Sequence, residues 1–512
     1  MEKHLFLLAS VENESQAGSF THVLEQRLIA TGENKDPADT SNVKMRYALK
    51  CTKVISHLNS QLQAQIDPML GSRDIHALLV CIPIIICWAI VPVLSPNAAK
   101  RILAKYKYNM VDLDSYPEDS FQCLKKLLEI ASPTNRNRTA VGHLILKTYL
   151  LEVLIALMDI PANSLDPKVI TAFLENTETR IILNAAIIVR SRESPQMPSL
   201  AQMSIDLIYD LIQRDDGITS LYSCILGASD SKSPNYTSAH AQLHNTSQII
   251  LDCRLSSRLL DITTVKEYFK SVCKQLISIL IDPLQHDAVK SGASLTISLL
   301  NTKKPKLCHS LIFTPVFETL RKLFTQTNPS NEFDLFGSIV LCNESDIDSV
   351  LLSIQSLLDN TTPEDSLSSN SIFKEISGVF TSLFMIYAKS TETKSYVLKP
   401  VTEILASIIQ LAPSESLVNM IMAMITKFST EQQRCARIAA GPNGGIIFVC
   451  DETNMYENHN YRFTLTPESL CGFLEDESMN LIESTQIGNL FLTLIESQLV
   501  ADNDEECLEN QM

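Results

Sequence analysis

Apolar residues recur along most of this chain with a helical period, and short polar turns separate one recurrence from the next. From about 43 to 66, Tyr47, Cys51, Val54, Ile55 and Leu58 fall on one stripe. A helix around 119–131 carries Phe121, Leu124, Leu127 and Leu128 and stops before Pro133. The next, from about 139 to 159, runs through Leu144, Tyr149, Leu151, Leu154 and Ile155. Asp166 followed by Pro167 predicts an N-cap and first turn, opening a helix toward Arg190. SRESPQMPS at 191–199 breaks the chain, and a further helix reaches about Arg214.

Beyond the polar stretch 229–241 the periodicity sharpens. Thr264 with Glu267 has capping-box spacing, followed by Val265, Tyr268, Phe269, Val272, Cys273, Leu276, Ile277 and Leu280 at helical intervals. Asp282-Pro283 is expected to restart a helix that NTKKPK at 301–306 ends. Ile347, Val350, Leu351, Ile354, Leu357 and Leu358 repeat the pattern, and TTPEDSLSSN at 361–370 separates this helix from one around 371–389. Two more are expected near 397–411 and 415–428. Only GPNGGIIFVC at 441–450 and YRFTLT at 461–466 are β-prone, which predicts one long-looped hairpin. Helices then follow to about 500, with an acidic tail after them.

The expected fold is therefore all-α, an armadillo- or HEAT-like α-solenoid of antiparallel helix pairs with one small β-hairpin near the C-terminus. Its expected parts are an N-terminal helix and polar linker (1–41), a helical lobe (42–228), a boundary loop (229–241) and a second helical-repeat lobe (242–440). The hairpin (441–466), C-terminal helices (467–500) and acidic tail (501–512) complete the series.

One stretch departs from amphipathic patterning. Ala77–Leu94 has no charge in 18 consecutive positions and contains the single Trp, Trp88. As a straight helix it would span about 27 Å, just short of a hydrocarbon core of about 30 Å. Pro83 and Pro92 divide it, and each suits the first turn of a short helix better than the middle of a long one. The preferred reading is a buried pair of short helices, with a membrane span through 77–94 as the alternative.

Composition narrows the function classes. A chain of 512 residues exceeds one ordinary core, and 45% hydrophobic with 20% charged residues is globular. Only 14 glycines disfavour the phosphate-binding α/β enzymes. A net charge of −16 argues against nucleic-acid binding, which needs a basic face. The 13 cysteines form no CxxC pair, and residues such as Cys123 and Cys273 lie among helical apolar positions, so a reducing compartment is expected. The N-terminus has too short an apolar patch for a signal peptide. Sequons at Asn13, Asn137, Asn235, Asn245, Asn343 and Asn360 would matter only in a secreted chain.

No P-loop, dinucleotide fingerprint, HExxH, EF-hand loop or nucleophile elbow occurs. His240 and His244 have the spacing of two metal ligands but lack a third, so a solvated surface is the better reading. Asp215-Asp216 and Asp502 to Glu506 suit caps and tails. Gly444-Gly445 could cradle a phosphate, but a tight turn is favoured. The cluster Lys100, Arg101, Lys105 and Lys107 suits a solvated helix face, with anionic lipid as the alternative. No catalytic, cofactor-binding or metal residue is nominated, no cofactor is expected, and the partner-binding residues stay unassigned.

The blocks HALLVCIPIIICWAIVPVLSP at 76–96, TVKEYFKSVCKQLISIL at 264–280, GSIVLCNESDIDSVLLSIQSLL at 337–358 and GPNGGIIFV at 441–449 resemble the transport and Golgi organisation protein 6 family. Fungal relatives of that family are described as RNA polymerase II assembly and nuclear-import factors. Members run to about twice this length, so the resemblance is to their N-terminal half. It implies a non-enzymatic armadillo-type scaffold for protein secretion and Golgi organisation, or for polymerase assembly and import. Protein partners and a cytoplasmic location are expected, with an integral membrane component of the Golgi or endoplasmic reticulum as the alternative.

Overall fold

The computed structural model describes residues 2–9, 20–32, 43–64, 70–106, 116–132, 138–161, 164–193, 198–227, 236–252, 255–259, 261–324, 339–359, 375–376, 378–411, 420, 436–450 and 473. It is all-α apart from one small sheet. The chain divides into two compact units, Met1–Cys224 with Arg254–Thr264, and Ile225–Cys253 with Val265–Met512.

In the first unit the charge-free stretch forms one continuous rod instead of a pair of short helices. Ser72–Ile85 is α-helical, Ile86–Ile90 is a π-turn and Val91–Val93 is a 3-10 turn. Pro83 lies inside the α-helix, where it has no N–H to give the Leu79 carbonyl. The Tyr149 hydroxyl donates to that carbonyl at 3.2 Å instead. Ahead of Pro92 the rod widens, and the Val91 N–H donates to Ile86. That i to i−5 pattern gives a proline ring room in the preceding turn.

Helices Glu2–Ala9, Val43–Gln63 and Pro117–Ala131 pack around the rod. Trp88 meets Tyr47 edge-to-face, with ring centroids 5.9 Å apart. Ser72–Val93 is long and apolar enough to cross a membrane, yet 78% of its most apolar window is buried by the fold.

The single helix expected over 139–159 is two, Ala140–Thr148 and Leu150–Asp159, bent by 72°. Tyr149 leaves helical geometry at the bend (ψ 5°). The helix expected from Asp166 toward Arg190 is also two, Pro167–Asn176 and Thr179–Glu193. Its predicted cap is present, with Asp166 accepting from the Lys168 N–H at 3.0 Å.

Residues 254–264 return to this unit through Asp206, a buried carboxylate on the Pro198–Ile212 helix. It accepts from the Ser257 N–H at 2.7 Å, the Ser256 hydroxyl at 2.9 Å and the Gln202 amide at 3.3 Å. Burial pushes its pKa up, but these donors, with the Ser257 hydroxyl, outweigh burial and hold it below the usual value.

Three helix starts from residue 236 onward differ from expectation. Helix Ile262–Ile281 begins before Thr264, because Asp261 supplies the cap by accepting from the Thr263 N–H at 3.1 Å. Asp282-Pro283 forms a turn, and the next helix, Asp287–Lys303, is capped by the His286 ring. The stretch expected as a loop over 229–241 is helical from Tyr236, within Tyr236–Leu251. A second π-turn, His309–Phe313, again precedes a proline, Pro315.

Helices Glu344–Leu358, Phe380–Thr393 and Leu398–Leu411 follow. The strands are β1, Ile339–Cys342; β2, Arg437–Ala440; and β3, Ile446–Cys450. They pair antiparallel in the order β1-β3-β2, with all of β3 buried. The hairpin therefore joins 437–440 to 446–450 through a short turn. The expected partner strand 461–466 and the acidic tail lie outside the described residues, as does the helix expected over 415–428 apart from Met420, which is helical.

Tyr149→Phe should cost about 1–3 kcal/mol by orphaning the Leu79 carbonyl. Pro83→Ala in that background should recover part of the loss, because alanine restores the helical N–H. Urea denaturation of the four variants checks this, and additive effects would refute the link.

Asp206→Asn should lower stability by about 1.5–3 kcal/mol at neutral pH. Because the folded pKa is depressed, the Asp206 contribution is complete above the unfolded carboxylate value of about 3.9 and is lost as pH falls through the folded value. The gap between variant and wild type should therefore narrow in acid, as urea midpoints across that range would show.

Candidate functional site

The second unit carries a cavity of about 930 Å³, bounded by the sheet, the start of Glu344–Leu358 and the loop after Phe380–Thr393. Its rim is built on the turn Gly441-Pro442-Asn443-Gly444-Gly445. The Gly444 N–H donates to Gly441 at 3.2 Å and the Gly441 N–H to Gly445 at 2.9 Å. Gly444 sits at φ +87°, where a side chain would be strained. This is a three-residue hairpin loop, with proline at a favoured turn position and glycine in the left-handed position.

The turn's outward N–H groups form a small anion-binding concavity, and the protein fills it with its own carboxylate. Glu344 Oε1 accepts from Gly445 N–H at 2.7 Å and Asn443 N–H at 3.1 Å, while Oε2 accepts from Asn443 Nδ2 at 2.7 Å. Glu344 is only 8% exposed, and these donors compensate its desolvation. It occupies the first turn of its helix, where the helix dipole favours negative charge. Asn343 caps the same turn, accepting from the Asp346 N–H at 2.9 Å while Asp346 accepts back from the Asn343 N–H at 3.3 Å. Two glycines are required by this fit. A methyl on Gly441 would collide with Glu344, and one on Gly445 would lie 2.7 Å from the Tyr396 hydroxyl.

The turn is held from its other side by Ser395 and Tyr396. The Gly444 carbonyl accepts from the Ser395 hydroxyl at 2.8 Å and the Tyr396 N–H at 3.3 Å. Lys394 directs the chain there by adopting φ +54° at the end of its helix. Tyr396 then donates its hydroxyl to Asp348 at 2.9 Å, one helical turn beyond Glu344. Burial, then the Asp348 hydrogen bond and charge, push the Tyr396 phenol up to about 12. Burial raises Asp348, the Tyr396 bond lowers it, and the charge of Glu344 adds to the rise.

The sequence candidates fall elsewhere. His240 is exposed and His244 half-buried on a helix, and no group of three or more His, Cys, Asp or Glu is placed to hold a metal among the described residues. Asp216 accepts from Thr179 at 2.8 Å and from Ser220 at 3.2 Å, at the start of Gly217–Gly227. Lys105 is exposed, as expected of a solvated charge, and also reaches Glu152 at 2.5 Å and the Thr148 carbonyl at 3.1 Å. Lys107 and Asp502 to Glu506 lie outside the described residues.

The described cysteines are buried thiols, and burial pushes Cys87 and Cys273 up to about 12. Such thiols are not nucleophiles at neutral pH. Gly444-Gly445 does make the tight turn, and its phosphate-like cradle is filled by Glu344. Glu344 and Tyr396 escaped sequence reasoning, although a GPNGG turn does announce N–H groups in need of an acceptor.

The family model for "Transport and Golgi organization protein 6 homolog, ARM-like repeat" matches residues 212–472, just over half of the chain. The chain belongs to this family. The match spans three of the blocks that carry the resemblance, at 264–280, 337–358 and 441–449, and it includes the whole clamp and cavity. It does not extend to the apolar rod or the rest of the N-terminal half. The fold is thus an all-α, ARM-like helical-repeat scaffold, with the small sheet built into the matched repeat region. A search of curated proteins returns no match to the chain.

Glu344→Ala should cost about 1.5–3 kcal/mol, since the Asn443 and Gly445 N–H groups lose a charged acceptor. Hydrogen exchange should accelerate at those two amides well before the chain unfolds globally. Unchanged protection there would show that the clamp does not hold the turn.

Proposed function

We propose that this chain is a non-enzymatic helical-repeat scaffold that binds protein partners in secretion and Golgi organisation. The observation carrying this reading is the ARM-like repeat match over 212–472. Stacked helices present a long surface on which partners make many modest contacts. The handling of RNA polymerase II subunits during assembly and nuclear import is the related role that the fungal resemblance suggests. The resemblance to the family's N-terminal half also belongs to this proposal. The acidic balance, −16 overall, supports protein partners over nucleic acid.

A cytoplasmic location is part of the same reading. A second reading, anchorage in a Golgi or endoplasmic reticulum membrane, is favoured by the length and apolarity of Ser72–Val93. Its burial among the neighbouring helices weighs for the first reading. A span would have to expose to lipid the side chains that now contact Tyr47 and the packing helices.

Affinity purification of the tagged chain with mass spectrometry should recover coat and Golgi-trafficking proteins or polymerase subunits. Recovery of neither class would overturn the functional reading. Carbonate extraction should release the chain wholly into the supernatant, and retention in the membrane pellet would establish the anchored alternative.

A further inference from the structure

The second unit, though part of a chain of net charge −16, carries a basic face on one of its helices. Lys266, Lys270 and Lys274 recur at every fourth residue of Ile262–Ile281, and all three are exposed. Successive members of such a row lie about 6 Å apart along the helix axis. Glu267 is the one carboxylate on this helix, 3.8 Å from Lys270.

Three more lysines join the row from further along the chain. Lys303, Lys304 and Lys306 are exposed where Asp287–Lys303 gives way to Pro305–Cys308. Lys304 lies over the Phe269 ring, its Nζ 4.3 Å from the centroid, which places it beside Lys266, one turn before Phe269. Cys308 continues the same contact: burial pushes its thiol up, and the nearby Cys273 adds to the rise. No carboxylate occurs from Ser298 to Phe313, and Glu375, which approaches this segment, is paired with His309 at 2.8 Å. Six lysines thus share a face with Glu267. Apart from Lys270, none of the six is in an ion pair among the described residues.

We propose that this face docks a short, extended acidic segment of a protein partner. Aspartate or glutamate at alternate positions meets Lys266, Lys270 and Lys274, and flanking acids meet Lys303, Lys304 and Lys306. This deepens the scaffold reading and rests on it. Alternate side chains of an extended chain recur about every 6.7 Å, close to the spacing of the lysine row. Charge complementarity is confined to the face itself. A short segment meets only the lysines, whereas a duplex or a lipid sheet would also meet the acidic surface that a chain of net charge −16 presents elsewhere. The face has no arginine for bidentate phosphate contact. It has no exposed aromatic ring on which a base could stack, since Phe269 is buried beneath Lys304.

The test is fluorescence anisotropy on the purified full chain with a labelled nonapeptide of alternating glutamate and serine. Saturable binding is expected at about 0.05 M salt, and raising the salt to about 0.3 M should weaken it tenfold. Replacing glutamate by glutamine in the peptide should abolish it. Lys266→Gln, Lys270→Gln and Lys274→Gln together should weaken it tenfold or more, and Lys303→Gln with Lys306→Gln severalfold. The same charge change at three exposed lysines of the first unit, Lys53, Lys147 and Lys168, should leave it unchanged. Equal binding of the glutamine peptide overturns the proposal, and so do equal losses in the helix and control variants. Tighter binding of a short oligothymidylate than of the peptide overturns it in favour of nucleic acid. Cosedimentation with phosphatidylserine vesicles that the three helix substitutions abolish overturns it in favour of lipid. The peptide change leaves the protein untouched, so misfolding of a variant cannot rescue the idea. Partner recovery from cells that the helix substitutions leave undiminished sinks this face alone. Absence of any partner with the unmodified chain sinks the scaffold reading instead.

Discussion

A peptide group buried without a partner costs more than most side-chain contacts return, and both units are arranged around that constraint. Helices satisfy their own interiors, so the difficulty concentrates where a helix is broken or a turn is buried. At Leu79 the missing N–H of Pro83 is replaced by the hydroxyl of Tyr149, remote in sequence. At the hairpin the exposed donors of Asn443 and Gly445 meet the carboxylate of Glu344, while the Gly444 carbonyl meets Ser395 and Tyr396. Where residues 256–257 rejoin the first unit, Asp206 performs the same service. Each is a side chain from one element completing the backbone of another, and together they tie elements that hydrophobic contact alone would leave free to slide.

Proline introduces the same pressure into the apolar segments, and both units meet it alike. Five-residue π-turns end two positions before Pro92 and Pro315, and at Pro92 the chain continues as a rod where a break was expected. The widened turn costs some hydrogen-bond quality but keeps the apolar side chains in register with their neighbours. In Ser72–Val93 this continuity lets Trp88 reach Tyr47 and keeps most of a membrane-length helix inside the fold. The bend at Tyr149 belongs to the same solution, because a residue out of helical geometry can aim its hydroxyl at the rod.

The candidate site's buried carboxylate, Glu344, is saturated by backbone and amide donors, half-buried Asp348 accepts the Tyr396 hydroxyl, and burial raises the Cys87 and Cys273 thiols elsewhere in the core. The clamp makes the cavity rim rigid: a carboxylate fixes the turn's donors, a loop fixes its carbonyl, and two glycines let them approach. It also places the most chemically distinctive part of the chain within the span that matches the ARM-like repeat.

Helical periodicity was enough, from the sequence alone, to determine the all-α class, most helix positions and the burial of stripes such as Val272, Cys273 and Leu276, because each depends on residues a turn or two apart. The GPNGG turn and the β-character of residues 446–450 were legible for the same local reason. Partner choice was not. Whether strand 446–450 would pair with 437–440 and 339–342, whether Thr264 or Asp261 would cap its helix, and whether Pro83 would break the apolar run each depended on competing groups. The contact between Glu344 and a turn about a hundred residues away leaves no local trace, since neither end needs the other to adopt its own conformation. Tertiary structure decided those pairings because only the folded chain removes water from the unsatisfied groups and makes a distant partner the best remaining choice.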